Sequence, residues 1–282
     1  GRFYDPGRRR LRVTLTVLAG LAGVGVAAAM YLWGIPGMAS VVAPHVPVSW
    51  EERLGRAVSD QLAPPERRCA ESTRLNAIQA IATTLTSTVK TPYTFRVVVL
   101  DTPSVNALAT PGGYIVVFRG LLERAESAEE LAGVLAHEFQ HVVLQHATRA
   151  LLRHASTGIL LAAVSGDVSG AMTYGLEGAR VLAELRYSRQ DEEEADREGY
   201  RMLVAAGVDP AGMLRFFETL QEESGRAPML PSYLSTHPST AGRIERLRSL
   251  GAAPHPATNP LLPGLRWRSV RAICGATDPL RP

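Results

Sequence analysis

Ser127-Ala128-Glu129-Glu130-Leu131-Ala132-Gly133-Val134-Leu135-Ala136-His137-Glu138-Phe139-Gln140-His141 is the stretch on which the reading of the fold turns. Ser127 and Glu130 have the spacing of a capping box, which predicts a helix opening near Ala128 and running on to about His154. Leu131, Val134, Leu135, Phe139, Val142 and Val143 surround the two histidines. That is the pattern of a buried helix, not of a solvated face that happens to carry them. Residues four apart on a helix lie one turn apart and about 40° from superimposed, so His137 and His141 can face one metal ion. Neutral imidazole is a preferred zinc ligand, and two of them leave room for a third protein ligand and a water. Glu138 is offset by about 100° from His137, beside such an ion and not on it, where a general base for that water belongs.

The third ligand must come from elsewhere. Asp191-Glu192-Glu193-Glu194-Ala195-Asp196 falls within residues 177–206, which predict a long helix closed by Gly207 and Pro210. Glu192 and Asp196 are again four apart and share a face. One can ligate the ion while the other accepts a hydrogen bond from a liganding histidine and fixes its tautomer. Glu193 and Glu194 read as solvated charge.

Around these two segments, residues 50–61 and 66–89 predict helices, the second with Leu75, Ile78, Ile81, Ala82 and Leu85 at helical spacing. The period then changes. Residues 95–100 and 114–118 read as strands, with Pro111-Gly112-Gly113 turning the chain before the second. Residues 210–223 and 238–250 are further helices, and 252–282 form a Pro-rich tail. No repeat of 20 to 50 residues recurs.

Residues 13–35 contain no charged side chain and follow Arg8, Arg9, Arg10 and Arg12. A helix of that length spans about 34 Å, enough to cross a hydrocarbon core of roughly 30 Å, and Tyr31 and Trp33 suit an interface. A cleaved signal peptide is the competing reading, since an Arg-rich start and the run Ala27-Ala28-Ala29 also fit one. The apolar stretch is longer than a signal core, which favours an uncleaved anchor. The arginines keep residues 1–12 in the cytoplasm and send the chain after residue 36 across the membrane, into the periplasm of a bacterium. Pro36, Pro44 and Pro47 predict a stiff, non-helical neck over residues 36–49, leaving a catalytic domain over residues 50–251.

With 46% hydrophobic and 20% charged residues, the chain can bury a core and is neither disordered nor membrane-embedded throughout. No basic run is interleaved with aromatics, so nucleic-acid binding has no support. Cys69 and Cys274 match no zinc-ribbon or redox spacing. In an oxidising compartment they can form one disulfide; two unrelated thiols are the alternative.

The segment Ser188-Arg189-Gln190-Asp191-Glu192-Glu193-Glu194-Ala195-Asp196 resembles the Ser-Arg-x-x-Glu-x-x-Ala-Asp signature of the BepA and HtpX-like metallopeptidases, relatives of the prenyl-protease and Oma family. Asn106-Ala107 followed by Pro111-Gly112-Gly113-Tyr114-Ile115-Val116-Val117 resembles that family's active-site edge strand. Gly120-Leu121-Leu122 resembles the start of its next helix, and Thr236-His237-Pro238-Ser239 with Arg243-Ile244 its His-Pro motif. The likeness covers roughly residues 66–250. It implies an α+β, predominantly helical zincin-type domain with a small antiparallel sheet, holding one zinc on His137, His141 and Glu192. By the same resemblance Asp196 supports a ligand and Asn106 lies near the substrate, a turn-forming Asn being the alternative. His237 either stabilises the tetrahedral intermediate or fills the open zinc position as a latch, and a helix N-terminal residue with no site role is the alternative. Such an enzyme would be an endopeptidase acting on unfolded or misassembled envelope proteins, with Tyr114–Phe118 pairing to extended substrate. The rivals are a catalytically idle zinc protein acting as a chaperone or scaffold and a hydrolase of non-peptide substrates. HtpX-like members carry membrane spans between the histidines and the glutamate. Here residues 158–176 are interrupted by Asp167, which favours a segment packed on the domain or touching the bilayer surface.

Overall fold

The computed structural model describes residues 6–165, 187–224, 232–238, 241–252 and 258–275. The chain divides into two units, residues 1–45 with 152–176 and residues 46–151 with 177–282.

In the first unit, helix α1 (Pro6–Ala29) continues through a π-helical turn (Met30–Gly34) into α2 (Ile35–Val42) and a 3-10 turn (Ala43–His45). Within this continuous helical run, Gly7–His45 is 39 residues long, and its most apolar window has a mean hydropathy of 2.0 with none of it buried. It is long and apolar enough to cross a membrane. The expected non-helical neck is therefore helical as far as His45. Pro36 sits in the first turn of α2, directly after the π turn, where a missing N–H costs little. The assignment of residues 158–176 as surface-packed falls, beyond Ser165, outside the described residues.

The second unit holds the site. Helix α3 (Val48–Leu62) is followed by a 3-10 turn (Pro65–Arg67) and α4 (Ser72–Thr86), whose N-cap is the Glu71 carboxylate. The segment expected as one helix from residue 66 is thus split around Cys69. Three strands follow, β1 (Arg96–Leu100), β2 (Ala107–Thr110) and β3 (Tyr114–Phe118), in the order β1-β3-β2. β3 pairs parallel to β1 and antiparallel to β2, so the sheet is mixed, not antiparallel. Tyr114–Phe118 is the central strand, hydrogen-bonded on both sides, and cannot take a substrate strand. The edge available for that is β2. Its sequence, Ala-Leu-Ala-Thr, has too little β-branched or aromatic character to stand out as a strand.

After α5 (Arg119–Arg124), α6 (Ala128–Val143) runs through the centre of the unit and is buried on nearly every face. Ser127 caps it by accepting from the Glu130 N–H at 3.2 Å. The Glu130 carboxylate takes the Glu126 N–H instead of closing the box on Ser127. The helix does not continue to His154. It ends at Leu144, and Gln145 adopts φ 55° before α7 (His146–Ser165) begins. A left-handed residue at that position is usually Gly or Asn, so a glutamine gives no signal for the break.

Helix α8 (Arg189–Ala205) is capped by Ser188 in a full capping box with Asp191. The helix expected from residue 177 therefore starts at Arg189; residues 177–186 lie outside the described set. Next come α9 (Ala211–Ser224), α10 (Ser232–Thr236), α11 (Ala241–Gly251) and α12 (Trp267–Arg271). Residues 258–275 are not a loose tail. Val270 and Ile273 enter the main core, the Trp267 indole donates to the Ala125 carbonyl at 2.7 Å, and Cys274 is disulfide-bonded to Cys69.

Two close approaches set the centre. An added Cβ at Gly133 of α6 would lie 2.5 Å from Met213 Cα of α9, and one at Gly212 2.6 Å from the Glu129 backbone. Only hydrogen at both positions lets the two helices cross at this distance.

Candidate metal centre

His137, Glu138 and His141 come from α6 and are fully buried. Helix α8 reaches them because Gly199 lets it lie on the Ala136–His137 backbone; a Cβ there would stand 3.2 Å away. The close contact brings Glu192 and Asp196, on the same face of α8, up to the imidazoles. His237, at the C-terminal end of α10 with its N–H on the Tyr233 carbonyl, closes the cluster. It does not begin the next helix, as the Pro238 that follows it suggested; that helix starts at Ala241.

The geometry is compact. His137 Nε2 lies 3.0 Å from His141 Nε2 and 3.2 Å from His237 Nδ1. Glu192 Oε1 is 3.0 Å from His237 Nδ1 and 3.6 Å from His141 Nε2, and its Oε2 is 3.6 Å from His137 Nε2. Donors held at 2.0–2.1 Å around a tetrahedral ion stand about 3.3 Å apart, and the observed separations bracket that value. Three imidazole nitrogens and a carboxylate converging in a dry interior cannot all be satisfied by shared protons. A divalent cation fits the set.

Electrostatics sort these groups. Burial lowers the His141 pKa well below the usual imidazole range, helped by His137 and His237, so it is neutral and fit to ligate. Burial disfavours the charge on Glu192, but His237, His137 and Arg243 outweigh it and keep Glu192 below its usual value. Glu138 goes the other way. Burial raises it against the pull of His237 and His137, and its Oε1 has His237 Nε2 at 3.3 Å and the Tyr233 hydroxyl at 3.4 Å. Asp196 Oδ1 meets His137 Nδ1 at 3.0 Å, and its two oxygens accept from Arg243 at 2.7 Å each. Burial acts against that carboxylate, yet Arg243 and then His137 hold it at about 2.

Five of the sequence-predicted ligands and acids, His137, Glu138, His141, Glu192 and Asp196, are thus brought together, with His237 as a sixth member. Glu193 pairs outward with Arg246 at 2.6 Å, but Glu194 turns in toward His146 at 3.4 Å and is not simply solvated. Asn106 is not in the donor set. It precedes β2, its Oδ1 accepts from the Ala107 N–H at 2.9 Å and its carbonyl from the Phe118 N–H at 3.0 Å. The alternation of an antiparallel pair then turns Ala107 and Ala109 toward the free edge. The Ala109 backbone lies beside Glu138 and works against the burial that raises it.

Sequence reasoning missed four members of the site. Tyr187 stacks on His141 at 3.8 Å and Tyr233 on His237 at 4.7 Å, both kept as phenols by burial. Tyr233 is four residues before His237, a helical spacing that was open to notice. His146, whose Nδ1 is 2.9 Å from His141 Nδ1, sits five residues from its neighbour and gives no helical signal. Arg243 stood in a quoted motif without a role.

The family model for Peptidase family M48 matches residues 72–251, well over half the chain and all of the cluster. The chain belongs to this family. Among relatives, the putative beta-barrel assembly-enhancing protease of Vibrio cholerae is 36% identical over 59% of this chain and 38% of its own. The beta-barrel assembly-enhancing protease of Yersinia pestis is 31% identical over 61% and 38%. The mitochondrial metalloendopeptidase OMA1 of Bos taurus is 34% identical over 54% and 31%. The chain therefore spans about two fifths or less of the length of these relatives. The match to this peptidase family runs from α4 to α11 and takes in the buried His137–His141–Glu192–His237 group, which could hold a metal ion.

Proposed function

We propose that this M48 protein is a membrane-anchored zinc endopeptidase that cuts unfolded or misassembled envelope proteins on the periplasmic side. The observation that carries the reading is the convergence of four buried donors with a fifth group, Glu138, immediately beside them and outside the donor set. His137, His141 and Glu192 would hold one zinc ion. When bound, zinc acts as a Lewis acid that polarises water and the scissile carbonyl.

The chain's own residues do the rest. Glu138, its pKa raised by burial, takes the proton of the attacking water and can return it to the departing amine. Asp196 holds His137 in the tautomer that leaves Nε2 free, and Arg243 holds Asp196. Extended substrate would add to the free edge of β2 through main-chain hydrogen bonds, which select for an unfolded chain more than for a sequence. The helical run Gly7–His45 would anchor the protein, with its arginines on the cytoplasmic side. A Cys69–Cys274 bond suits an oxidising compartment, and the two bacterial relatives carry names that refer to beta-barrel assembly.

A latched resting state is the second reading, and one observation favours it. His237 Nδ1 occupies the fourth corner of the donor figure, at 3.0–3.2 Å from Glu192 and His137. His237→Ala is then expected to raise basal proteolysis. If His237 instead supports the tetrahedral intermediate, the same change lowers activity by roughly 100- to 1000-fold with metal retained.

The testing experiment is proteolysis of an unfolded protein with and without chelator, comparing wild type with Glu138→Gln. Chelator should abolish cleavage. Glu138→Gln should keep about one equivalent of zinc while activity falls by orders of magnitude. Full activity in that variant overturns the mechanism, and chelator-resistant cleavage overturns the metal.

A further inference from the structure

His146 is fully buried and lies in direct contact with the donor cluster, yet it does not face the convergence point. On an unbroken helix it would stand about 140° around from His141. The left-handed Gln145 between α6 and α7 removes that offset and lays one ring against the other, with Nδ1 to Nδ1 at 2.9 Å and ring centroids at 4.9 Å. The far nitrogen of His146, Nε2, points at α8, where Glu194 Oε2 is 3.4 Å and Asp191 Oδ1 3.7 Å away.

Tautomer logic then runs in one direction. His141 presents Nε2 to the cluster, so its single proton must sit on Nδ1. That Nδ1–H faces His146 Nδ1, which must accept and so be bare. The proton of neutral His146 is left on Nε2, where the Glu194 carboxylate receives it and the Asp191 carboxylate lies just beyond hydrogen-bond reach. We infer that His146 is a positioning residue that fixes the tautomer and ring plane of His141 and ties them to the start of α8. It would do for His141 what Asp196 does for His137, with an imidazole interposed between ligand and carboxylate. The kink at Gln145 then has a purpose, because it delivers an acceptor to the outer nitrogen of a helix-borne ligand. This inference rests on the reading that His141 ligates a metal through Nε2.

The test uses the full-length protein and two substitutions. An asparagine Oδ1 stands close to where imidazole Nδ1 does, so His146→Asn keeps the acceptor, whereas His146→Leu removes it at similar bulk. Competition against a chelator should show zinc held about 10- to 100-fold more weakly by His146→Leu, and within a few-fold of wild type by His146→Asn. Imidazole nitrogen NMR of the wild-type zinc form, which depends on no variant folding, should place a proton on His141 Nδ1 and none on His146 Nδ1. Equal zinc affinity in wild type and His146→Leu overturns the inference and leaves the metal site intact, as does a proton on His146 Nδ1. Equal weakening by Leu and Asn also overturns it, since the acceptor would then not be what matters. A wild-type protein that binds no zinc brings down both this inference and the proposed function.

Discussion

Glu138 and Glu192 are buried carboxylates beside the same histidines, and their surroundings push them in opposite directions. Glu192 touches His237 and Arg243 and stays ionised; Glu138, against Tyr233 and the Ala109 backbone, holds a proton more readily. Two acids driven apart in this way are suited to two tasks, one to ligate and one to move protons. Glu192→Ala is therefore expected to lose both metal and activity. Glu193→Ala, whose carboxylate pairs outward with Arg246, should lose neither, as zinc content and a protease assay will show. Asp196 supports a pH prediction. Its folded pKa of about 2 lies below its ordinary 3.8, so its contribution is fully present above about pH 4 and is lost as the pH falls through about 2. The shift corresponds to about 2 kcal/mol. Denaturant midpoints of the metal-free protein should show the gap between wild type and Asp196→Asn closing across that window.

At the scale of elements, α6 was legible because Ser127 caps it and apolar residues cover it all round. Its partner α8 was legible in its acidic stripe, but its start was placed too early, ahead of the Ser188–Asp191 capping box that opens it. The break at Gln145 and the strand β2 were not legible. A left-handed glutamine is imposed by packing that the local sequence does not encode. The pattern Ala-Leu-Ala-Thr becomes a strand only because β3 lies beside it. The assignment of the substrate edge to Tyr114–Phe118 failed for that reason, since the more strand-like segment is the one buried in the middle. Gly133 carries the prediction at this scale. Gly133→Ala places a methyl 2.5 Å from Met213 Cα, which only a shift of α6 against α9 can relieve. Overpacking of this kind costs about 1–3 kcal/mol. Thermal unfolding should fall accordingly, and a chelator should strip zinc from the variant sooner, because the helix that moves carries His137 and His141.

For the whole molecule, the run of 39 residues from Gly7 to His45 is about 58 Å long as a helix, against a hydrocarbon core of roughly 30 Å. The arginines at its start predict that a reporter fused after Pro282 registers on the periplasmic side; a cytoplasmic signal would reverse the orientation and change the class of substrate. The disulfide adds something different. Cys69 and Cys274 are 205 residues apart in sequence with Cα atoms 4.8 Å apart, and every residue of the donor cluster lies between them. The intervening chain is thus a closed covalent ring. An endopeptidase is always near one susceptible chain, its own, and a single cut anywhere in that ring opens it without releasing a fragment. A nicked molecule would migrate as one band on a non-reducing gel and as two after reduction, with both halves of its site still tethered and able to stay folded together.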